Sequence, residues 1–400
     1  MTAPASLPFE IDAGGDGLLG MPPAEFLRDY WQKQPLLIRN AFPDVVSPIE
    51  PEDLAGLACE DGVLARLIEH DKRDDSWRVR HGPFAEDDFP GLPDHDWTLL
   101  VQDVDKWDGD VRGLLAHFDF LPRWRIDDIM ISFAATGGSV GAHVDQYDVF
   151  LLQAKGQRHW QIDASANPPL ACRDDVELKL LRSFTPSHDW VLQPGDMLYL
   201  PPGVPHHGVA VDACLTISVG MRAPAAAELL GDYVDTLAAE ASDELRYTDP
   251  DSAVPSDPNE IDAAAIGRVH AALQQLHMDD PDRFGDWFGS FITTYRSAVL
   301  PVPDDNPPPS DAVELALADG AQLLRHPWSR MAWRQATGDS FARLYAGGVA
   351  YPLPSVDAST LAASDAVDAH LHAGLSDAGR AAVIALLAAG HYQLMQEDDA

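Results

Sequence analysis

Two imidazoles and one carboxylate fall where a single iron ion could be held. His143 and Asp145 are separated by one residue, and His206 follows 61 residues after Asp145, within Pro201-Pro202-Gly203-Val204-Pro205-His206. Such a set grips one face of an octahedral Fe(II) and leaves the other positions open for reaction, as in mononuclear non-haem iron oxygenases. The close spacing has a structural rationale. A β-strand repeats every two residues, so His143 and Asp145 are expected on one face of one strand. His206 is then expected on a later strand that folds back beside them. A lone His-x-Asp is weak evidence in an acidic chain with 15 histidines; the flanking sequence gives it weight.

Those flanks read as a double-stranded β-helix. Ile131-Ser132-Phe133 is an apolar run ending in Gly137-Gly138-Ser139-Val140-Gly141, a turn that delivers the chain to His143. Residues 148–153 read as a strand, Lys155-Gly156-Gln157 as a tight turn, and residues 158–162 as the antiparallel partner. Residues 191–200 give strand, Pro194-Gly195 turn and strand, followed by the Pro/Gly corner that places His206. A last strand over 215–220 is expected to close the barrel. The fold class is therefore α+β, built on a cupin jelly roll. Strand alternation turns His207 away from the side that His206 faces. His117, His159 and His188 stand singly and read as structural histidines.

The run Gly141-Ala142-His143-Val144-Asp145-Gln146-Tyr147-Asp148-Val149-Phe150, with Gly195-Asp196 and the Pro201–His206 corner, resembles the bacterial ribosomal oxygenases. These are JmjC-type cupin enzymes that hydroxylate a ribosomal protein. The segment Tyr30-Trp31-Gln32-Lys33-Gln34-Pro35-Leu36-Leu37-Ile38-Arg39-Asn40 and Trp97-Thr98-Leu99-Leu100-Val101-Gln102 are also similar, so the likeness runs from about Phe26 to Pro224. It implies Fe(II) on His143, Asp145 and His206, with 2-oxoglutarate and O2 as co-substrates. It implies as substrate the β-carbon of an arginine in a large-subunit (50S) ribosomal protein, number sixteen. Two alternatives stay open: a cupin hydroxylase of a ribosomal histidine, another basic protein or a small molecule, and a non-catalytic cupin scaffold. The intact metal set and Arg158 speak against the scaffold.

The far carboxylate of 2-oxoglutarate needs a buried cation, and the family carries an arginine at the position of Arg158. Its planar fork suits a carboxylate. Thr216 and Ser218 could give hydroxyls to the co-substrate or substrate; core-facing roles satisfied by backbone are the alternative. Where relatives carry a serine two residues after Ser132, this chain has Ala134. Tyr147 and Asp148 are candidate substrate contacts, although alternation puts Tyr147 on the face of Asp145 and turns Asp148 away unless the chain bends.

Composition bounds the rest. A net charge of -37 repels nucleic acid and attracts basic partners such as a ribosomal protein, with plain solubility as the alternative reading. Cys59, Cys172 and Cys214 are far apart, without a C-x-x-C pair, which argues against a zinc framework and fits a reducing cytoplasm. No basic-then-apolar leader and no run of 18 apolar residues appears, so no membrane association is expected. The expected organisation is a flexible terminus over 1–20, a JmjC cupin catalytic domain over 21–222, a helical region over 223–300 and a winged-helix-like domain over 310–400. The helices carry apolar faces without an evident mate, and with the resemblance they imply a homodimer. The last domain, with few basic residues and an acidic Glu397-Asp398-Asp399 tail, reads as structural or protein-binding, so direct nucleic-acid contact is not expected.

Overall fold

The structure is a computed structural model that describes residues 7–15, 17–254, 256–335 and 341–395. Part of the expected flexible terminus (1–6 and 16), Pro255 before the second helix and the acidic tail at Glu397-Asp398-Asp399 lie outside the described residues. The chain divides into two compact units, 1–223 and 224–400.

Among the described residues, the first unit carries twelve strands. They are β1 (Glu10–Asp12), β2 (Leu36–Arg39), β3 (Ala65–Asp71), β4 (Ser76–His81), β5 (Trp97–Val101), β6 (Ile126–Ala134), β7 (Val149–Lys155), β8 (Arg158–Ile162), β9 (His188–Leu192), β10 (Met197–Leu200), β11 (His206–Ala210) and β12 (Cys214–Met221). Nine form a large sheet in the order β1-β2-β10-β7-β12-β6-β5-β3-β4, and three form a small one, β11-β8-β9. Two-residue alternation sorts each strand of the large sheet between two environments. Phe150, Leu152, Ile131, Ile217 and Tyr199 face outward into a core shared with Phe26, Tyr30 and Phe118. Val149, Leu151, Leu198 and Leu37 face inward onto Trp160, Ile162 and Leu192 of the small sheet.

One expectation needs correction. The segment 158–162 is not the hydrogen-bonded partner of 148–153. β7 pairs with β10 and β12 in the large sheet, whereas β8 pairs with β9 and β11 in the small one. The turn between them carries the chain from one sheet to the other. Gly156 makes this crossing at φ +60°, where a Cβ would come within 2.3 Å of the Ala213 carbonyl oxygen, so a side chain does not fit. The last strand of this unit, over 215–220, is also a central one. β12 lies inside the large sheet, between β7 and β6, with all eight residues buried. A run covered on both faces is what a central strand requires.

The second unit begins with helices Ala226–Glu240, Ala263–Gln274 and Pro281–Thr294. The start of the third is fixed because Asp280 accepts hydrogen bonds from the N–H groups of Asp282 and Arg283 and Pro281 occupies the first turn. After helix Ser310–Ala318 come two antiparallel three-stranded sheets, interleaved with helices Ser355–Ala363, Ala369–Gly374 and Asp377–Ala388. The hairpin Ala342–Ala346/Val349–Leu353 turns through Gly347 and Gly348, both at positive φ. Among the described residues no helix is long and apolar enough to cross a membrane.

The corner before β10 shows how the large sheet is anchored. Asp196 is buried and accepts hydrogen bonds from Arg39 Nη1 (2.7 Å), Asn40 N (3.1 Å) and Gln193 N (2.9 Å). Replacing it leaves two backbone N–H groups unpaired and takes one of two carboxylate partners from Arg39, which keeps Glu10 and the Val191 carbonyl. Asp196→Ala should therefore destabilise the first unit by roughly 2 kcal/mol, read as a lowered urea midpoint.

Candidate metal centre and co-substrate pocket

The chain around His143 is not a regular strand, contrary to expectation. Gly141 sits at φ +77° with a notional Cβ 2.6 Å from Leu180, and the backbone leaves the β region there. One bridge then pins it across to β11. His143 N donates to His206 O (3.0 Å) and His206 N donates to His143 O (2.9 Å). Two further backbone bonds steady the segment, from Leu181 N to Ala142 O and from Gly203 N to Asp145 O, each 2.8 Å.

The result still collects the three side chains. One ligand atom each from His143, Asp145 and His206 lies within 4.8 Å of the others, and among the described residues no other such group of His, Cys, Asp or Glu occurs. Asp145 Oδ2 is 3.9 Å from His143 Nε2 and 3.7 Å from His206 Nε2. The opposite ring nitrogens face backbone carbonyls: His143 Nδ1 lies 3.0 Å from Gly141 O and His206 Nδ1 3.0 Å from Val204 O. A proton on each Nδ1 would leave the Nε2 lone pairs for a metal. Burial, and then neighbouring His143, pull the pKa of His206 down to about 4, which favours the neutral imidazole that a metal binds. His207 points away and packs edge-on against Phe184.

Arg158 lies on the inner face of β8, opposite Ala210 of β11, while Ile162 lies opposite His206. Four residues of strand therefore separate the two ends, about 13 Å of backbone. That gap suits an arginine side chain and a five-carbon diacid. Arg158 is only 2% exposed. Its Nη1 donates to Ser132 Oγ and Thr216 Oγ1, each at 3.3 Å, while its Nε has no partner. No carboxylate pairs with it among the described residues, and burial pulls its pKa down. Gly208 makes room, since a Cβ there would sit 2.8 Å from Arg158 Nε. A buried guanidinium set among hydroxyls and lacking an anion fits a carboxylate ligand. Thr216 also donates to Gln153 Oε1 (3.1 Å), and Ser218 is buried two residues further along the same face. Ala134 is buried against Cys214 and Ala210.

At the mouth, Tyr147 is 41% exposed, with its hydroxyl turned to Asp145. Desolvation of the hydroxyl, the Asp145 and Asp128 carboxylates and that hydrogen bond raise its pKa. Asp148 is corrected. It is fully buried and accepts hydrogen bonds from Tyr199 Oη (2.7 Å), Gln32 Nε2 (2.9 Å) and Arg125 Nη2 (3.2 Å), which lock it away from substrate.

Ser132, Gln153 and Asp128 were not singled out from sequence. Asp128 accepts Asp103 N–H (3.1 Å) and has no ion pair among the described residues. Burial, followed by Asp103 and Asp127, raises its pKa to about 7. Alternation along β6 from Ser132 through Met130 was the available signal. It was masked because Asp127-Asp128 looks like any surface pair in an acidic chain.

Comparison with known proteins agrees with this geometry. A JmjC domain model matches residues 113–229, a ROXA-like winged helix 275–393 and an AraC-like ligand binding domain 185–279. The chain is 37% identical over 301 residues to ribosomal protein uL16 3-hydroxylase of Escherichia coli, covering 75% of this chain and 79% of that protein. It is 44% identical over 216 residues to a probable ribosomal oxygenase of Haemophilus influenzae, covering 52% and 51%. The solved structure of the E. coli ribosomal oxygenase YcfD with cobalt and 2-oxoglutarate superposes with a TM-score of 0.80 at 33% identity, over 94% of this chain and 99% of that one. A second structure of E. coli ycfD gives 0.83 at 34% identity, with the same coverage. Sequence and fold together place this chain in the ribosomal oxygenase family of JmjC-type cupins.

Proposed function

We propose that this protein is an Fe(II)- and 2-oxoglutarate-dependent oxygenase that hydroxylates the β-carbon of an arginine in a large-subunit ribosomal protein in the cytoplasm. The observation that carries the reading is the buried, acid-free guanidinium of Arg158 on the inner face that also bears His206. The E. coli relative named as a uL16 3-hydroxylase supports the choice of substrate. His143, Asp145 and His206 hold the iron, and Arg158 holds the far carboxylate of 2-oxoglutarate, assisted by Ser132 and Thr216. When bound, the metal and co-substrate supply the oxidising chemistry, with O2 and 2-oxoglutarate consumed as succinate, carbon dioxide and the hydroxylated product are formed. The chain's own residues bind, orient and exclude water. Tyr147 offers a flat face to a guanidinium, and Asp128 offers it a desolvated carboxylate. A histidine substrate has less need of that acid, so arginine is favoured. Ser218 lies on the same wall and could orient the substrate.

We also propose that a second copy covers the first helices of the C-terminal unit. Ile266, Val269 and Leu273 fall on one side of helix Ala263–Gln274 and are exposed in the single chain. Sedimentation should give a dimer that Ile266→Asp with Leu273→Asp converts to monomer.

Arg158→Met should weaken 2-oxoglutarate more than about 30-fold, because a buried charge pair is lost. The same change should leave the unliganded protein equally or more stable, because an isolated buried cation is replaced by a hydrophobe. Calorimetric titration and thermal melting read the two effects separately.

Asp128 gives a pH test. Its folded-state pKa of about 7 exceeds the ordinary 3.8. The folded chain therefore binds more protons in that window, and this group makes the fold less stable as pH rises from about 4 to 7. Asp128→Asn should melt higher than the native protein at pH 8. The ionised carboxylate is the form that pairs with guanidinium, so KM for an arginine-containing ribosomal peptide should fall as pH rises through 7. In Asp128→Asn it should stay high and flat, with 2-oxoglutarate affinity unchanged. An arginine peptide turned over equally well by that variant would count against the arginine pocket.

A further inference from the structure

On the large-sheet wall beside Arg158, a buried hydroxyl stands without a partner among the described residues. Thr98 on β5 is completely buried, and its Oγ1 makes no hydrogen bond. A hydroxyl buried in that state is destabilising, and native structures rarely keep one without a use for it.

Strand register fixes where this hydroxyl lies. Thr98 is opposite Ala134 across β5 and β6, and Ala134 is opposite Cys214 across β6 and β12. The three residues form one row on one face of the large sheet. Ala134 and Cys214 pack on Ala210 of the opposite sheet, so the row faces inward. Ala210 is in turn the cross-strand partner of Arg158. The next row on the same face contains Leu100, Ser132 and Thr216, and its two hydroxyls accept from Arg158 Nη1. Arg158 thus meets hydroxyls from one row, while the adjacent row offers a methyl, a thiol and Thr98. Cys214 is near enough to Arg158 for the two to interact electrostatically.

Donor and acceptor chemistry then narrows the occupant. A guanidinium only donates, so Arg158 cannot take the proton of Thr98. Ala134 and Ala210 offer no side-chain acceptor. A carboxylate is acceptor-only and has two oxygens with several lone pairs, enough for a guanidinium and a hydroxyl together.

We infer that Thr98 Oγ1 is a second donor to the far carboxylate of 2-oxoglutarate, reaching it from the β5 side of the pocket. The inference rests on the assignment of Arg158 to that carboxylate and gives a role to a residue for which neither motif nor resemblance supplied one. It also gives the wall at Ala134, which has no hydroxyl of its own, a polar contact from the neighbouring strand.

The test is calorimetric titration of 2-oxoglutarate into the full-length Co(II)-loaded protein, with melting of the unliganded protein measured alongside. Thr98→Val keeps the shape and removes the hydroxyl. It should weaken 2-oxoglutarate about ten-fold, equivalent to about 1.4 kcal/mol. Its unliganded melting temperature should hold or rise, since an unpaired polar atom has gone. Thr98→Ser should stay within about three-fold of the native affinity. If Thr98→Val does not fold, Thr98→Ala gives the same binding readout with a smaller side chain. Native affinity in Thr98→Val, with affinity lost in Arg158→Met, would overturn the role of Thr98 and leave the co-substrate pocket standing. Absence of 2-oxoglutarate binding by the native protein would overturn both.

Discussion

The first unit depends on a large sheet covered on both faces, which forces its strands to be sorted residue by residue. Outward positions of β6, β7 and β12 carry Ile131, Phe150, Leu152, Ile217 and Val219, the core that holds the unit together. Inward positions on the same strands carry Ser132, Gln153, Thr216 and Ser218. A slip of one residue in register would exchange the two sets and expose the aliphatic core to a polar cavity. The apolar outer face therefore fixes the register, and the register holds the polar inner face where it is. Arg158 completes the arrangement from the small sheet, its charge met by hydroxyls of the large one. Such a group is costly in the unliganded chain, and the outer core offsets that cost. Sites that bind a charged ligand commonly keep this kind of local conflict.

Electrostatics act at two ranges. The net charge of -37 sets a field that draws basic partners toward the surface, but salt screens it beyond about 8 Å. At the mouth the relevant acids are fewer and closer. Asp103 and Asp127 stand near Asp128, and desolvation together with these like charges holds its carboxyl in an unfavourable ionised state near neutral pH. A guanidinium entering there would relieve both effects. On the proposed function, the long-range field would raise the frequency of encounter and the Asp128 carboxylate would select what stays.

Much of the site was legible because its signals are local. The His143-x-Asp145 spacing, the Pro/Gly corner before His206 and the alternation that separates His206 from His207 all follow from geometry within a few residues. Asp148 misled because its neighbours in sequence are site residues while its partners are distant ones: Gln32, Arg125 and Tyr199. Asp128 was hidden for the converse reason, since nothing in its local sequence separates it from the 63 other acidic residues among the 64 in the chain, and its surroundings come from packing.

By itself the sequence determined which side chains could bind a metal, that 149–153, 158–162 and 215–220 would be strands, and where turns needed glycine, since each rests on the preferences of a few adjacent residues. Tertiary structure alone decided which strands became neighbours. It sent β8 into the sheet opposite β7, put β12 at the centre, and reduced the His143 segment to a single bridge on His206. Hydrogen bonds between strands join residues tens of positions apart, and a backbone N–H is the same donor whatever side chain it carries. Local period therefore gives the face of a strand, and only packing of the whole sheet gives its partner.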